Sequence, residues 1–466
     1  MPEHKDTQII TDLILKAKAK AYEETSSEPE PELTKKAKWP IDCQIGPGLE
    51  GAIACETEIG YVNGAKGWLI YRGYDIFDLC AYSTFEEVSF LLLHGHMPSK
   101  AEYKEFKEKL VAYRFLHQAQ RKMINFPVEE MNTMAAMRLG TLMMRQKQTY
   151  RDKDVEPTAG TMISADEDSI PMEVKPYGES KAIYEFKQKR VKHPKITDKS
   201  LNSSDEFESC YHLISGLAVI AGTITRIRQD AFPIQPDSKL SLAGNLLYMM
   251  TGKKPTALEE RIMDVCLILH ADHGMNASTF ASMVVASTLS DIYFAVGSGI
   301  EALNGPLHGG ANEKVMEMLN EISGVSEVKS FVANKKSKNE KIMGFGHRVY
   351  KAYDPRARVL APLAKLLTES SPEMHKKYEI AEAIEKEALH AFGTEKKTFP
   401  NVDFYSGIVY EAMSIPKEMF TPLFAVSRVS GWTARVMEYL KNNRIFRPRA
   451  MYVGEFNKEY VPMSKR

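Results

Sequence analysis

Apolar residues recur at helical spacing over most of the chain, beginning near its N-terminus. Residues 7–24 carry one apolar face, formed by Ile10, Leu13, Ile14, Ala17 and Ala21. The acidic, proline-bearing sequence at 26–32 follows, and its composition is typical of a flexible linker. These features predict that residues 1–39 form a short amphipathic arm and a linker ahead of the globular part of the chain.

The next signals predict a small hairpin and then a long series of helices. Asn63-Gly64 lies between short alternating segments, which is a strong hairpin signal. The sequences beginning at Ser83 and Thr256 each place a glutamate three residues later, as in a capping box, and Gly95 ends the first of these helices. Because alternating β-branched runs are almost absent after residue 80, we predict a mainly α fold.

Residues 148–206 interrupt the helical pattern. They are polar, contain four prolines and have little apolar periodicity, so we predict a surface insertion without a core of its own. A basic run at 187–195 could contact an acidic partner, although a solvated charged loop is the simpler interpretation.

Composition excludes some classes of protein. The 466 residues contain 61 Lys and Arg against 61 Asp and Glu, and this zero net charge argues against a nucleic-acid binder. An anionic substrate would need a local cluster of basic residues.

The cysteines and the N-terminus bear on the location. Five scattered cysteines predict reduced thiols. Acidic residues within the N-terminal apolar pattern fit neither a signal peptide nor a transit peptide. We therefore expect a cytoplasmic protein.

Histidines are the candidates for chemistry. Most of the candidate histidines have glycine, asparagine or proline beside them and lie at predicted helix ends. In such segments a side chain and backbone amides can approach a ligand closely. A metal alternative would use His270, Asp272 and His273, completed by His308 or His347. Because this spacing also occurs by chance and no HExxH or cysteine supports it, we expect no metal.

Three segments are more specific than any single histidine. GPLHGGANE at 305–313, GFGHRVYKAYDPR at 344–356 and PNVDFYSG at 400–407 closely resemble, in order and separation, the catalytic segments of the citrate synthase family. The resemblance covers about residues 40–460 apart from the insertion. It implies a two-domain helical fold, with a large domain at 40–309 plus 415–466, a small domain at 310–414 and the active site in the cleft between them.

The resemblance also implies the reaction and its residues. The family condenses an acyl-CoA with oxaloacetate. By this likeness Asp403 is the base that removes a methyl proton, His308 donates to the thioester oxygen, and His347 donates to the ketone oxygen. The expected contacts to the carboxylates of oxaloacetate and citrate are His273, Arg356, Arg428 and Arg447.

The partners follow from the same likeness. In the family the arginine that matches Arg447 reaches the neighbouring subunit, which implies a homodimer with shared active sites. The residues expected to contact CoA are Met343, Gly344, Phe345, Gly346, Arg348 and Asn401. The CoA thioester is a substrate, so we expect no separate cofactor, no nucleic acid and no membrane partner.

The sequence leaves the acyl group open. A 2-methylcitrate synthase that uses propionyl-CoA, or another alkylcitrate synthase, would share these residues, because one methylene changes discrimination by only ~1–3 kcal/mol. Two alternatives of a different class are a non-catalytic helical binding protein and a metal hydrolase. The presence of all three residues that match the catalytic ones counts against the first.

Overall fold

The computed structural model describes residues 5–31, 38–148, 207–393, 398–455 and 457–466, and these residues form 17 α-helices and one small sheet. The helices are α1 (Lys5–Glu24), α2 (Ile76–Tyr82), α3 (Phe85–His94), α4 (Lys100–Ala112), α5 (His117–Ile124), α6 (Thr133–Gln148), α7 (Glu208–Arg228), α8 (Leu242–Thr251), α9 (Ala257–His270), α10 (Ala277–Ser287), α11 (Ile292–Asn304), α12 (Ala311–Asn320), α13 (Val325–Ser337), α14 (Pro355–Thr368), α15 (Pro372–Ala388), α16 (Val402–Ala412) and α17 (Phe420–Leu440). The prediction of a mainly α fold is confirmed. The insertion predicted at 148–206 lies outside the described residues, except for Gln148 at the end of α6.

The sheet contains the predicted hairpin. Its antiparallel strands are β1 (Gly60–Asn63), β2 (Trp68–Tyr71) and β3 (Tyr74–Asp75), in that order. Asn63 pairs with Trp68 and leaves a four-residue turn. The side-chain oxygen of Asn63 accepts hydrogen bonds from two backbone amides of the turn, that of Ala65 at 3.1 Å and that of Lys66 at 3.0 Å. The asparagine therefore fixes the turn through its side chain, and not through the two-residue turn that an Asn-Gly pair usually forms.

Of the two predicted capping boxes, one is confirmed and one is displaced by one residue. Thr256 caps α9 with Glu259, as predicted. At α3 the box is formed by Thr84 and Glu87, so the prediction of Ser83 as the capping residue is wrong. The reason is that the backbone N–H of Ser83 donates to Leu79 at the end of α2, and Ser83 still belongs to that helix end.

The core is built around two long helices, α7 and α17, which are buried along most of their length. Among the described helices, α7 alone is long and apolar enough to cross a membrane by length and composition, and 89% of its apolar window is buried inside the protein. α17 contains Trp432, which is fully buried, and the arginines Arg428 and Arg435. These two charged groups in a core helix need partners, which the site provides.

The N-terminal helix α1 forms where the apolar spacing predicts it, but it is not a peripheral arm. Ile10 and Ile14 are fully buried in the main core, where α1 packs on α2, α9 and α14. Lys18 pairs with Asp78 at 2.6 Å. Since α9 belongs to the predicted large domain and α14 to the predicted small one, α1 contacts both. The domain boundaries themselves stay a prediction.

Candidate active site

Segments that are distant in sequence meet at one site, the predicted cleft. His273 follows α9, and its ring lies 5.3 Å from that of His347, centroid to centroid. Tyr350 contacts both histidines: its hydroxyl is 3.2 Å from Nε2 of His273, and its ring lies 4.8 Å from that of His347, centroid to centroid. Arg356, at the start of α14, places Nη2 at 3.4 Å from Nε2 of His347. The structure thus brings three residues singled out in the sequence into direct contact.

The tautomer of His347 follows from its backbone contacts. Its Nδ1 lies 2.9 Å from the amide nitrogen of Val349 and 3.1 Å from that of Tyr350. Because both amides can only donate, Nδ1 accepts, and the neutral ring carries its proton on Nε2. Burial lowers the pKa of His347 to about 4, which keeps the ring neutral near pH 7. Nε2–H and the facing guanidinium of Arg356 are both donors, so the pair is arranged for a shared acceptor.

His308 has the opposite tautomer. Its Nε2 lies 3.2 Å from the backbone nitrogen of Ser278, near the start of α10, and 2.9 Å from the hydroxyl of the same residue. Since the amide donates, Nε2 accepts and the neutral ring carries its proton on Nδ1. Burial, followed by the charge of Arg428, lowers the pKa of His308 to about 4. His308 therefore has one N–H free to donate outside this contact.

Asp403 lies in the first turn of α16. Asn401 caps this helix by accepting a hydrogen bond from the amide of Asp403 at 3.0 Å, and its side-chain nitrogen donates to the carbonyl of Gly346 at 2.9 Å. Burial raises the pKa of the Asp403 carboxyl to about 6, against the opposing charge of Arg356. A carboxyl group whose pKa lies this close to neutral pH is suited to act as a general base there.

Asp354, which sequence reasoning did not single out, holds Arg356. Its carboxylate accepts from Nε of Arg356 at 3.0 Å and from Nη2 at 2.8 Å, and both side chains are buried. It also accepts from the amide of Val402 at 3.2 Å, which ties Arg356 to the first turn of α16. Burial alone would lower the pKa of Arg356, but the charge and hydrogen bonds of Asp354 outweigh burial, and the pKa of Arg356 is raised. Asp354 caps α14, and an aspartate directly before proline is a helix-start signal that could have predicted this cap, although not the contact with the guanidinium.

Arg428 contributes a second buried guanidinium from the middle of α17. Its Nε donates to the carbonyl of His270 at 2.5 Å. Burial lowers the pKa of Arg428 to about 10, so the side chain stays charged near pH 7. The ring of His270 is itself buried and uses Nδ1 to donate to the carbonyl of Cys266 at 2.6 Å. Burial lowers the pKa of His270 to about 3, so its ring is neutral near pH 7. His270 supports the site through its backbone carbonyl, which holds Arg428.

Asp272 has a structural partner that the sequence did not reveal. The metal alternative would use Asp272 as a ligand, but both of its oxygens accept hydrogen bonds from Arg435 at 2.7 Å. Tyr71 donates to the carbonyl of Asp272 at 2.8 Å. Within the described ranges, no group of three or more His, Cys, Asp or Glu residues is arranged to hold a metal ion. The segment that carries His273 is thus held by an arginine and a tyrosine.

The segment expected to contact CoA forms a tight loop. Gly344 and Gly346 have positive φ angles of 77° and 83°. A Cβ at Gly344 would meet Phe404 at 2.8 Å, so only glycine fits there. The carbonyl of Gly344 accepts from the amide of Asn401 at 2.8 Å. Met343 and Phe345 are half-buried, whereas Arg348 is exposed and 3.8 Å from Glu50.

Arg447, unlike the other three predicted carboxylate contacts, shows no contact with a site residue in the part of the chain that the structure describes. It lies after α17 in a C-terminal segment whose residues are mostly exposed, and its own side chain is exposed. Arg447 makes no hydrogen bond or ion pair within the part of the chain that the structure describes.

Comparison with known proteins identifies the family. Residues 48–449 match the family model described as "Citrate synthase, C-terminal domain". The citrate synthase of Deinococcus radiodurans is 37% identical over 422 residues, covering 91% of this chain and 99% of that protein. The 2-methylcitrate synthase of Shewanella oneidensis is 34% identical, covering 90% and 98%.

A solved structure agrees with these relatives. The citrate synthase of Thermoplasma acidophilum, in ternary complex with carboxymethyl coenzyme A and oxaloacetate, superposes with a TM-score of 0.74 at 32% identity, covering 91% of this chain and all of that one. The predicted citrate synthase-like helical fold is therefore confirmed. With a family model that matches most of the chain and relatives above 30% identity over nine-tenths of it, the chain belongs to the citrate synthase family, a family of acyl-transferring enzymes.

Proposed function

We propose that the chain condenses acetyl-CoA with oxaloacetate and water to give citrate and CoA, with Asp403, His308 and His347 as the acid and base groups. One observation carries the proposal. Two neutral histidines hold opposite tautomers, each fixed by a backbone amide, and burial raises the pKa of the Asp403 carboxyl to about 6. The charge of Arg428 acts on both His308 and Asp403, and the charge of Arg356 acts on both His347 and Asp403, so the three groups lie around the same two arginines. Family membership supports oxaloacetate and an acyl-CoA as the substrates.

Enolisation would be the first step. The Asp403 carboxylate removes a proton from the methyl group of acetyl-CoA, which becomes an enolate. Nδ1–H of His308 donates to the thioester oxygen as negative charge develops there. Because the ring of His308 is neutral and already oriented, this stabilisation needs no rearrangement of solvent.

Carbon–carbon bond formation would follow. The enolate carbon attacks the ketone carbon of oxaloacetate, and Nε2–H of His347 donates to the ketone oxygen, which becomes the hydroxyl of citryl-CoA. Water then adds to the thioester carbonyl and the carbon–sulfur bond breaks; one water proton goes to the CoA sulfur, and the other is released as the new carboxyl group ionises. The proton that Asp403 removed from the methyl group replaces the one that His347 gave, so both residues return to their starting states. His347 and Arg356 both direct donors to the oxaloacetate side of the cleft, as a dianionic substrate requires.

Substrate carboxylates would be bound by His273, Arg356 and Arg428. The guanidiniums are buried and already oriented, Arg356 by Asp354 and Arg428 by a backbone carbonyl. Fixed donors lose little side-chain entropy on binding. CoA would lie along the loop Met343–Gly346 and near Asn401, and no separate cofactor takes part.

We also propose a homodimer in which Arg447 completes the site of the partner subunit. The C-terminal segment after α17 exposes large apolar side chains. Their exposed fractions are 61% for Ile445, 89% for Met451, 89% for Val453, 79% for Tyr460 and 76% for Met463. Apolar surface on this scale marks an interaction site. A second copy of the chain would cover it and receive Arg447.

A mixing experiment tests this arrangement. Asp403→Ala and Arg447→Ala are each expected to be inactive. If Arg447 acts across the dimer, random mixing makes about half of the dimers heterodimeric, and each of these has one intact site, so about one quarter of wild-type activity returns. If Arg447 acts within its own chain, mixing restores no activity.

The choice of acyl group is tested by thiol release with oxaloacetate, comparing acetyl-CoA, propionyl-CoA and butyryl-CoA. We expect acetyl-CoA to give the highest kcat/KM. A preference for propionyl-CoA would identify a 2-methylcitrate synthase instead. No thiol release with any of the three would refute the proposed enzyme.

A cytoplasmic location remains part of the proposal. All five cysteines are free, as expected for a reducing compartment. Fractionation of cells with antibodies to the protein would test the location.

A further inference from the structure

Glu385 of α15 accepts hydrogen bonds from two tyrosines that come from different segments. Its Oε1 accepts from the hydroxyl of Tyr353 at 2.6 Å, and its Oε2 accepts from the hydroxyl of Tyr405. The rings of both tyrosines are packed among other aromatic residues, which include Phe399 beside Tyr353 and Phe404 beside Tyr405. One carboxylate therefore joins two parts of the chain that are separated by about fifty residues.

The two tyrosines flank residues of the proposed mechanism. Tyr353 directly precedes Asp354, the carboxylate that holds Arg356 by two hydrogen bonds. Tyr405 lies two residues after Asp403 in the first turns of α16. A shift of either tyrosine would therefore move a substrate-binding arginine or the base.

A carboxyl group at the position of Glu385 carries a desolvation cost. Burial raises the pKa of Glu385, and the hydrogen bonds from Tyr353 and Tyr405 oppose that rise. Arg358 adds a nearby positive charge, with its guanidinium 4.3 Å from the centre of the Tyr353 ring. An apolar side chain would fill this space without the desolvation penalty, so packing alone does not explain a carboxylate here.

We infer that Glu385 is a positioning residue: through Tyr353 it fixes the Asp354–Arg356 pair that binds oxaloacetate, and through Tyr405 it fixes the helix start that carries Asp403. The inference rests on the proposed function. It predicts a division of effects between the two tyrosines that a purely stabilising contact would not produce.

The test uses four variants and one control variant of the full-length protein, with kcat and the KM for oxaloacetate measured by thiol release. Tyr353→Phe should raise the KM for oxaloacetate roughly tenfold and leave kcat within about twofold. Tyr405→Phe should lower kcat roughly tenfold and leave that KM within about twofold. Glu385→Leu should lower kcat/KM by about 100-fold, because small displacements of reacting groups have effects of this size.

Glu385→Gln provides a rescue. Its amide oxygen can accept from one tyrosine and its NH2 can donate to the other, so most of the activity lost in Glu385→Leu should return. The matched control is Glu382→Leu on the same helix, which removes a hydrogen bond of 2.9 Å from Tyr378. The ring of Tyr378 lies 6.3 Å from that of Tyr405, but Tyr378 makes no hydrogen bond to Glu385, Tyr353 or Tyr405, so this variant tests packing near the site without the two hydrogen bonds to Glu385. Its kinetics should stay within about twofold of wild type.

The outcomes distinguish a failure of the proposed function from a failure of the inference about Glu385. An inactive wild-type protein would refute the proposed function before any variant is compared. With an active wild type, Glu385→Leu that keeps its circular dichroism spectrum and its kinetic constants would overturn the inference. The same conclusion would follow if both phenylalanine variants lowered the melting temperature alone, or if both changed the same kinetic constant.

Discussion

Arg435 donates to both carboxylate oxygens of Asp272, at 2.7 Å each, and both side chains are buried. Asp272 directly precedes His273 in the sequence. Removing one partner would leave the other charge buried and unpaired. We expect Arg435→Leu to reduce the free energy of unfolding by ~3–5 kcal/mol, which is the usual cost of breaking a buried ion pair. The KM for oxaloacetate should also rise, because Asp272 no longer holds the segment of His273. Urea denaturation and steady-state kinetics would measure the two effects.

Arg138 offers a matched control on the surface. It pairs with Glu301 at 2.5 Å, but both side chains are about half exposed. Arg138→Leu should reduce the free energy of unfolding by only ~0–1 kcal/mol, since water already solvates both charges. Equal losses in Arg138→Leu and Arg435→Leu would contradict the assigned role of the buried pair.

Asp403 predicts the acidic limb of the pH–rate profile. As a base it must be ionised, and burial raises its pKa to about 6. We therefore expect kcat/KM to fall as the pH decreases through about 6. Asp403→Ala should abolish turnover while oxaloacetate still binds, which isothermal titration calorimetry can measure. Normal turnover in that variant would remove Asp403 from the role of base.

The same carboxyl predicts a dependence of stability on pH. The native pKa of Asp403, about 6, lies above its value in the unfolded chain. Native protein therefore binds more protons between these two values, and the contribution of Asp403 to stability falls as the pH rises through that range. Asp403→Asn removes this cost, which is on the order of 3 kcal/mol. We expect it to raise the melting temperature at pH 8 but hardly at pH 4. An equal change at both pH values would contradict this assignment.

The sequence predicts the parts of this molecule that depend on local chemistry. Thr256 begins a helix because its hydroxyl and Glu259 satisfy the first backbone amides, and both signals lie within four residues. The spacing of Ile10 and Ile14 likewise predicts a helix with one apolar face, but it gives no sign of which elements cover that face. The structure places α1 against α2, α9 and α14.

The supporting contacts of the site could not be predicted in this way. Arg435 and Asp272 are 163 residues apart, and no periodicity or capping rule relates them. Glu385 falls in a helix of alternating charge, where a solvent-exposed glutamate is the ordinary expectation. Residues at the cleft itself have short glycine-bearing motifs around them, whereas the residues that hold them have none.

The histidine tautomers can be tested directly. His308 should carry its proton on Nδ1 and His347 on Nε2, because each ring accepts a hydrogen bond from a backbone amide through its other nitrogen. Nitrogen-15 NMR of histidine-labelled protein at pH 7 would report both, with the signals assigned by His308→Gln and His347→Gln. A protonated imidazolium signal, or the same tautomer for both residues, would contradict the assigned donors.

Gly64 connects the β1–β2 hairpin to the loop of His347. Its carbonyl accepts from the amide of Lys351 at 2.9 Å and from that of Ala352 at 3.2 Å. A Cβ at this position would lie 2.2 Å from the carbonyl oxygen of Val349, which is too close for any contact. Gly64→Ala should therefore push the hairpin away from residues 349–352 and disturb the amides that orient His347.

We expect Gly64→Ala to lower kcat/KM by about 10- to 100-fold, the scale on which misplaced catalytic groups reduce rates. The free energy of unfolding should fall by only about 1–3 kcal/mol, as for an overpacked contact. Gly324→Ala is the control, because a Cβ at Gly324 would have no atom within 4 Å and the backbone there is extended. It should leave both measurements near wild type. If Gly64→Ala loses stability but keeps its kcat/KM, the hairpin supports only the fold, and the orientation of His347 does not depend on it.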